Sequence, residues 1–197
     1  MGGGVIAGFS IVGLGKHEPF VGKPFPFPVS PCTVEISLKK ILYPEDWVTV
    51  RRASFRKFEG RCSVCDGVGD EWPVAGVAVW DFDLSTQEIS GYGVQRLSEV
   101  VSLCPRCLSA YTSVLSLFRY GYSNKLDKAM EYLAGVGNSS IEEVADIVYN
   151  SYKKSEQLED FAWATDLSWL KTQGLSEIRV SSRQVVCLID GVIVGGC

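Results

Sequence analysis

Histidine is almost missing from this sequence: His17 is the only one in 197 residues. A site that needs one imidazole as base and another as metal ligand cannot be built from it, and the composition offers no nucleophilic triad. His17 reads as a surface or satisfied core residue. No run of 18 or more apolar residues occurs, so no membrane-spanning helix is expected. Residues 5–14 are apolar, but Gly8 and Gly13 interrupt them and no basic stretch comes first, so a signal peptide is not expected either. Neither sign of charge dominates. The net charge is −4, which implies no strongly acidic or basic partner. Residues 8–16 are rich in glycine but lack the G-x4-G-K-[ST] order of a phosphate loop. No internal repeat is visible.

What is present is a globular composition, 46% hydrophobic and 21% charged, in a chain long enough for one domain with a substantial core. Cysteine is the informative residue. Cys62 and Cys65 form one C-x2-C pair, and Cys104 and Cys107 form another after 38 intervening residues. Cys32, Cys187 and Cys197 follow no pattern, and the odd total of seven argues for a reducing, intracellular setting over a disulfide framework. Two residues between cysteines let both thiolates meet one ion from a tight turn, and two such pairs complete a tetrahedral shell. One structural zinc ion held by Cys62, Cys65, Cys104 and Cys107 is therefore expected. Four thiolates leave no open position for catalysis. An iron–sulfur cluster would use the same ligands.

The rest of the chain organises around these pairs. Prolines 24, 26, 28 and 31 make residues 1–32 an extended Gly/Pro-rich arm. A short strand is expected over 33–38 and a helix over 45–58. A second strand is expected over 74–82, a third before the second cysteine pair, and then a helix from Pro105 to about Tyr120, where Leu108, Tyr111 and Leu115 share a stripe. Asn124 is the expected cap of the next helix and Gly135 its end. Ser140 and Glu143 form a capping box for the last helix, reaching about Lys154. Asp190-Gly191 marks a terminal β-hairpin within 176–197.

Other candidate site residues need weighing. Arg51, Arg52, Arg56, Lys57 and Arg61, less Glu59, give residues 51–61 a charge of +4. They read either as a solvated helix face or as a contact for phosphates or an acidic protein. Asp81, Asp83 and Glu88 could hold Mg²⁺ or could be polar residues at a strand end. Phe161, Trp163 and Trp169 are surrounded by acidic residues and read as core packing, not as a base-stacking platform.

The chain resembles HNH-endonuclease-like zinc proteins of the treble-clef, ββα-metal type. The resemblance rests on R-C-S-V-C at 61–65, W-D-F-D at 80–83, G-V-Q-R-L at 93–97 and S-L-C-P-R-C at 102–107. It extends to T-V-E-I at 33–36, P-E-D-W at 44–47 and A-W-A-T-D-L-S-W-L at 162–170. It implies an α+β fold with a zinc-centred HNH-like domain over 33–175, a helical C-terminal half and a C-terminal hairpin. In such nucleases a strand histidine and helix histidines do the chemistry. Here the strand before Trp80 is V-A-G-V-A-V, and the position after the second cysteine pair is Leu108, with Tyr111 and Thr112 one turn later. The expectation is a scaffold reused for binding, with a protein partner favoured. The alternatives are nucleic-acid binding or a nuclease that uses carboxylates. The resemblance also implies a phage accessory or virion setting.

Overall fold

The computed structural model describes residues 37–68, 75–85, 91–175, 177–181 and 186–195. The N-terminal arm with His17, residues 33–36 of the expected first strand, and Glu88 lie outside them. The fold is α+β, with helices packed on one mixed five-stranded sheet of order β1-β2-β3-β4-β5.

Leu38 opens a helical turn, α1 (Leu38–Ile41), where a strand was expected to close. Leu38, Ile41 and Leu42 are all buried while Lys39 and Lys40 are exposed, a helical spacing instead of an alternating one. α2 (Pro44–Lys57) has proline at its first position, where no N–H is needed, and Glu45 and Asp46 at its positive end. β1 (Ala75–Asp83) and β2 (Gly93–Leu103) pair antiparallel. Val79 faces Glu99 and Trp80 faces Leu97, so Ser98 is an extra residue, and its hydroxyl donates to the Val79 carbonyl at 3.2 Å. This bulge changes which way β2 points its side chains.

Three helices follow, α3 (Pro105–Tyr120), α4 (Asn124–Gly137) and α5 (Ile141–Leu158). α4 passes the expected stop at Gly135 and ends at Asn138, which has a left-handed φ of 47°. A helical glycine costs about 1 kcal/mol, and burial of Leu133, Ala134 and Gly137 on one face offsets it. Ser123, not Asn124, precedes the first helical residue. The expected capping box is present: Glu143 N–H donates to Ser140 Oγ at 3.1 Å and Ser140 N–H to Glu143 Oε2 at 2.9 Å.

The chain then returns to the sheet. β3 (Trp163–Asp166) pairs parallel with β2, and β4 (Val186–Ile189) pairs parallel with β3 after a 3-10 helix (Ser168–Gln173). β5 (Val192–Gly195) closes the hairpin through Asp190 and Gly191, whose φ values of 52° and 78° suit a two-residue turn. Residues 178–181 do not join that hairpin. Val180 bridges Leu42, Arg179 donates to both carboxylate oxygens of buried Asp46 at 3.2 and 2.9 Å, and Ser181 N–H donates to the Ile41 carbonyl at 2.8 Å.

Two buried clusters result. The first gathers the cysteines with Val79, Val101, Leu103, Leu126, Leu133 and Val144. The second gathers Trp80, Phe82, Leu97, Val100, Trp163, Leu167 and Leu170. Trp163 anchors the second: its indole N–H donates to the Leu158 carbonyl at 3.0 Å, and its ring meets Phe82 edge-on at 5.3 Å. It also covers Gly93 so closely that a Cβ there would lie 2.6 Å from the ring. Phe161 and Trp169 pack against this cluster, as core residues would.

Candidate metal centre

Helix α2 delivers the chain to the first cysteine pair. Glu59 and Gly60 reverse it with φ values of 51° and 74°. Cys62 N–H then donates to the Gly67 carbonyl at 3.0 Å and Asp66 N–H to the Cys62 carbonyl at 2.9 Å, closing a knuckle. Inside it the amides of Val64 and Cys65 serve the Cys62 sulfur, and that of Gly67 serves the Cys65 sulfur. A Cβ on Gly67 would come within 3.3 Å of Cys65 Sγ, so glycine keeps this approach open. Ser63 ties the knuckle to β2 through two bonds to the Ser102 carbonyl, from its N–H at 2.8 Å and its hydroxyl at 3.0 Å.

The second pair lies where β2 turns into α3. Cys104 is the residue that caps α3: Cys107 N–H donates to its Sγ at 3.5 Å, and Pro105 takes the first helical position. The β1–β2 hairpin folds back on itself, so 38 residues of separation in sequence become direct contact. All four sulfurs lie within 4.8 Å of one another, and Cys65 Sγ is 3.7 Å from Cys104 Sγ. A tetrahedral ion with metal–sulfur bonds of about 2.3 Å needs sulfurs about 3.8 Å apart. Cys62, Cys104 and Cys107 are buried and Cys65 is half-buried.

Sulfurs this close compete for one negative charge. Cys62 is held well below the ordinary thiol range, first by the hydrogen bond from Cys107 and then by backbone amides. Cys107 is pushed far up by donating that bond and by burial, and Cys65 is pushed up mainly by burial. A divalent cation would take the place of those protons. The set could thus hold one metal ion with four protein ligands and no open corner. Among the described residues no other group of three or more potential ligands converges.

Tyr132 of α4 completes the surroundings, its hydroxyl 3.3 Å from Cys107 Sγ. Burial, then this contact, raises that hydroxyl above the usual phenol range. Arg106, between the paired cysteines, lies 5.7 Å over the Tyr132 ring. Sequence reasoning missed Tyr132; its only signal was a place one turn beyond Ala129 on the buried face of α4.

The basic run does not form one surface. Lys57 donates to Glu99, a carboxylate buried on β2 beside the bulge. Arg61 donates to the Asp66 carbonyl at 3.0 Å and faces its carboxylate at 3.7 Å. Arg51 lines a cavity beside β1. Arg52 and Arg56, one turn apart, are exposed and have no partner among the described residues. Asp81 and Asp83 join no group of three or more potential ligands among the described residues. Asp83 accepts from Ser85 N–H and Oγ at 2.9 and 2.6 Å and faces Arg96 at 2.8 Å. Those Ser85 bonds are the first cause holding it below the usual carboxylate range. Asp81 is engaged as well.

Beside β1 lies a cavity of about 410 Å³. Leu38, Trp47, Val77, Trp80, Tyr111 and Leu115 supply its apolar lining, and Lys39 and Arg51 its charge. Trp47 rests against Gly76, where a Cβ would come 3.2 Å from the indole. Leu108 packs into the first cluster, and Thr112 is exposed with its hydroxyl donating to the Leu108 carbonyl at 2.7 Å. No helix among the described residues is long and apolar enough to cross a membrane. No protein-family model, no curated protein and no solved structure matches this chain.

Proposed function

We propose that this chain is a non-catalytic module that binds a protein partner, on an HNH-like, treble-clef scaffold stapled by one structural zinc ion. The observation that carries this is the lining of the cavity between β1 and α3. Among the described residues, it offers apolar and aromatic side chains with two cations, and neither an imidazole nor a carboxylate. Those are the strand and helix segments where the resembling nucleases keep their histidines. A concave apolar site of this size suits an anchoring apolar side chain.

The scaffold reading is supported by chain order: a cysteine knuckle, a β-hairpin, then a helix that carries the second pair in its first turn. Zinc is supported by the all-sulfur ligand set and the 3.7 Å sulfur separation. A protein partner is further supported by β5, an edge strand whose Val192, Ile193 and Val194 are all exposed.

Plasmid nicking with Mg²⁺ and Mn²⁺ tests the absence of chemistry: no cutting is expected. Cutting that disappears in Asp81→Ala and Asp83→Ala would overturn the reading. Capture from native lysate tests the cavity: Ala78→Arg, which fills it, should lose the partner while keeping its metal. The exposed, unpaired Arg52 and Arg56 favour a second reading, nucleic-acid binding. Salt-dependent retention on DNA that weakens in Arg52→Ala and Arg56→Ala would establish it.

A further inference from the structure

Helices α3 and α4 are consecutive, and a groove of about 720 Å³ lies between them. It uses Arg106, Ser109, Ser113 and Ser116 of α3, the face opposite Tyr111 and Leu115, which line the cavity beside β1. Its charged lining is of one sign. Among the described residues Arg106, Lys125 and Lys128 contribute, and no carboxylate does, in a chain of net charge −4.

None of the three cations has an acidic partner among the described residues. Arg106 is seated on the Tyr132 ring, whose hydroxyl reaches Cys107, so one end of the groove is fixed to the metal centre. Arg106 and Lys125 occupy the second positions of α3 and α4, the ends where the helix dipole disfavours a cation. Among the described residues, no carboxylate offsets that placement.

The hydroxyls add a second requirement. Thr112, Ser113 and Ser116 donate to the carbonyls of Leu108, Ser109 and Ser113 at 2.7, 2.9 and 2.7 Å. With their protons spent there, these three meet an occupant as acceptors, while Ser109 of the same lining remains able to donate. A fitting occupant therefore brings anions for the cations and N–H donors for the hydroxyls. A phosphodiester backbone carries no N–H, and the groove's one aromatic ring, Tyr132, lies under Arg106, leaving no platform for bases. An extended peptide with acidic side chains carries both kinds of group. Its alternate side chains, about 7 Å apart, suit cations spread over about 10 Å of helix.

We propose that this groove docks an acidic segment of the protein partner in extended conformation. The inference rests on the protein-binding reading and names the partner's chemistry. Its test is fluorescence anisotropy on the metal-loaded full chain with two probes, a short peptide of alternating glutamate and serine and an oligodeoxythymidylate. The peptide is expected to bind at low salt, and Lys125→Glu with Lys128→Glu to weaken it about tenfold or more. Arg52→Glu with Arg56→Glu should leave it unchanged. Circular dichroism and metal content confirm that each variant is folded. Absent peptide binding, binding indifferent to the lysine pair, or tighter binding of the oligonucleotide would overturn the proposal. DNA cutting in the nicking assay would instead remove the non-catalytic reading and leave the peptide result standing.

Discussion

The two buried clusters hold together by different physics. Around the four cysteines the interior depends on polarisable ligand atoms, and without a cation Cys65 and Cys107 hold their protons in a crowded space. Around Trp163 it depends on apolar area and on shape, with a ring laid over a glycine and leucines such as Leu167 and Leu170 fully buried. The first region should fail abruptly when one atom is exchanged. The second should lose stability in proportion to the misfit. β2 belongs to both, sending Val101 and Leu103 to the first and Leu97 and Val100 to the second.

The largest expected effect is on the sulfur side. In small zinc modules the metal contributes on the order of 10 kcal/mol or more, against a typical domain stability of about 5–15 kcal/mol. Cys62→Ser or Cys104→Ser should leave the chain insoluble or unfolded by circular dichroism. Elemental analysis of the wild type should return one zinc per chain. Lowering the pH acts in the same direction, because ligand sulfurs must stay deprotonated. An unchanged melting temperature in a strong chelator would break the comparison at its root.

Gly93→Ala should come next. Its Cβ would meet the Trp163 ring at 2.6 Å, and overpacking of this kind costs about 1–3 kcal/mol. The melting temperature should fall while one metal per chain is retained. Loss of the metal along with it would show that the two clusters unfold as one unit.

The smallest effect belongs to the strap that holds α1 and α2. Arg179→Met strips buried Asp46 of a two-pronged partner. Arg179 is itself 47% exposed, which screens the attraction. The expected loss is smaller than that of Gly93→Ala, read as a lower denaturant midpoint at unchanged slope. A loss rivalling that of Gly93→Ala would mean that the strap, not the packed rings, secures the second cluster.

The contrast also explains what could be read from sequence. The cluster of four cysteines was legible because C-x2-C spacing encodes its chemistry within four residues. α2, α3 and α5 announced themselves through Pro44, Pro105 and the Ser140–Glu143 box. β3 did not, since four residues, W-A-T-D, are too few to show a period, and its partner β2 lies some 70 residues earlier. The Ser98 bulge and the Lys57–Glu99 pair were invisible for the same reason: both are set by register between distant segments. The basic run shows the converse. Residues contiguous in sequence wind around a helix, so among the described residues Lys57 and Arg61 found partners while Arg52 and Arg56 did not. Gly135 failed as a stop signal because packing of α4 outweighed it.

The parallel pairing of β2 with β3 has a consequence for synthesis. All four sulfurs leave the ribosome 56 residues before Trp163 does. At about 5–20 residues per second, several seconds pass in which one flank of β2 has no neighbour. During that interval an ion held by the four sulfurs would keep the nascent knuckle, hairpin and α3 together. Metal shortage would therefore be felt first in newly made chains, which would offer β2 to one another, while finished molecules kept their ion and their shape.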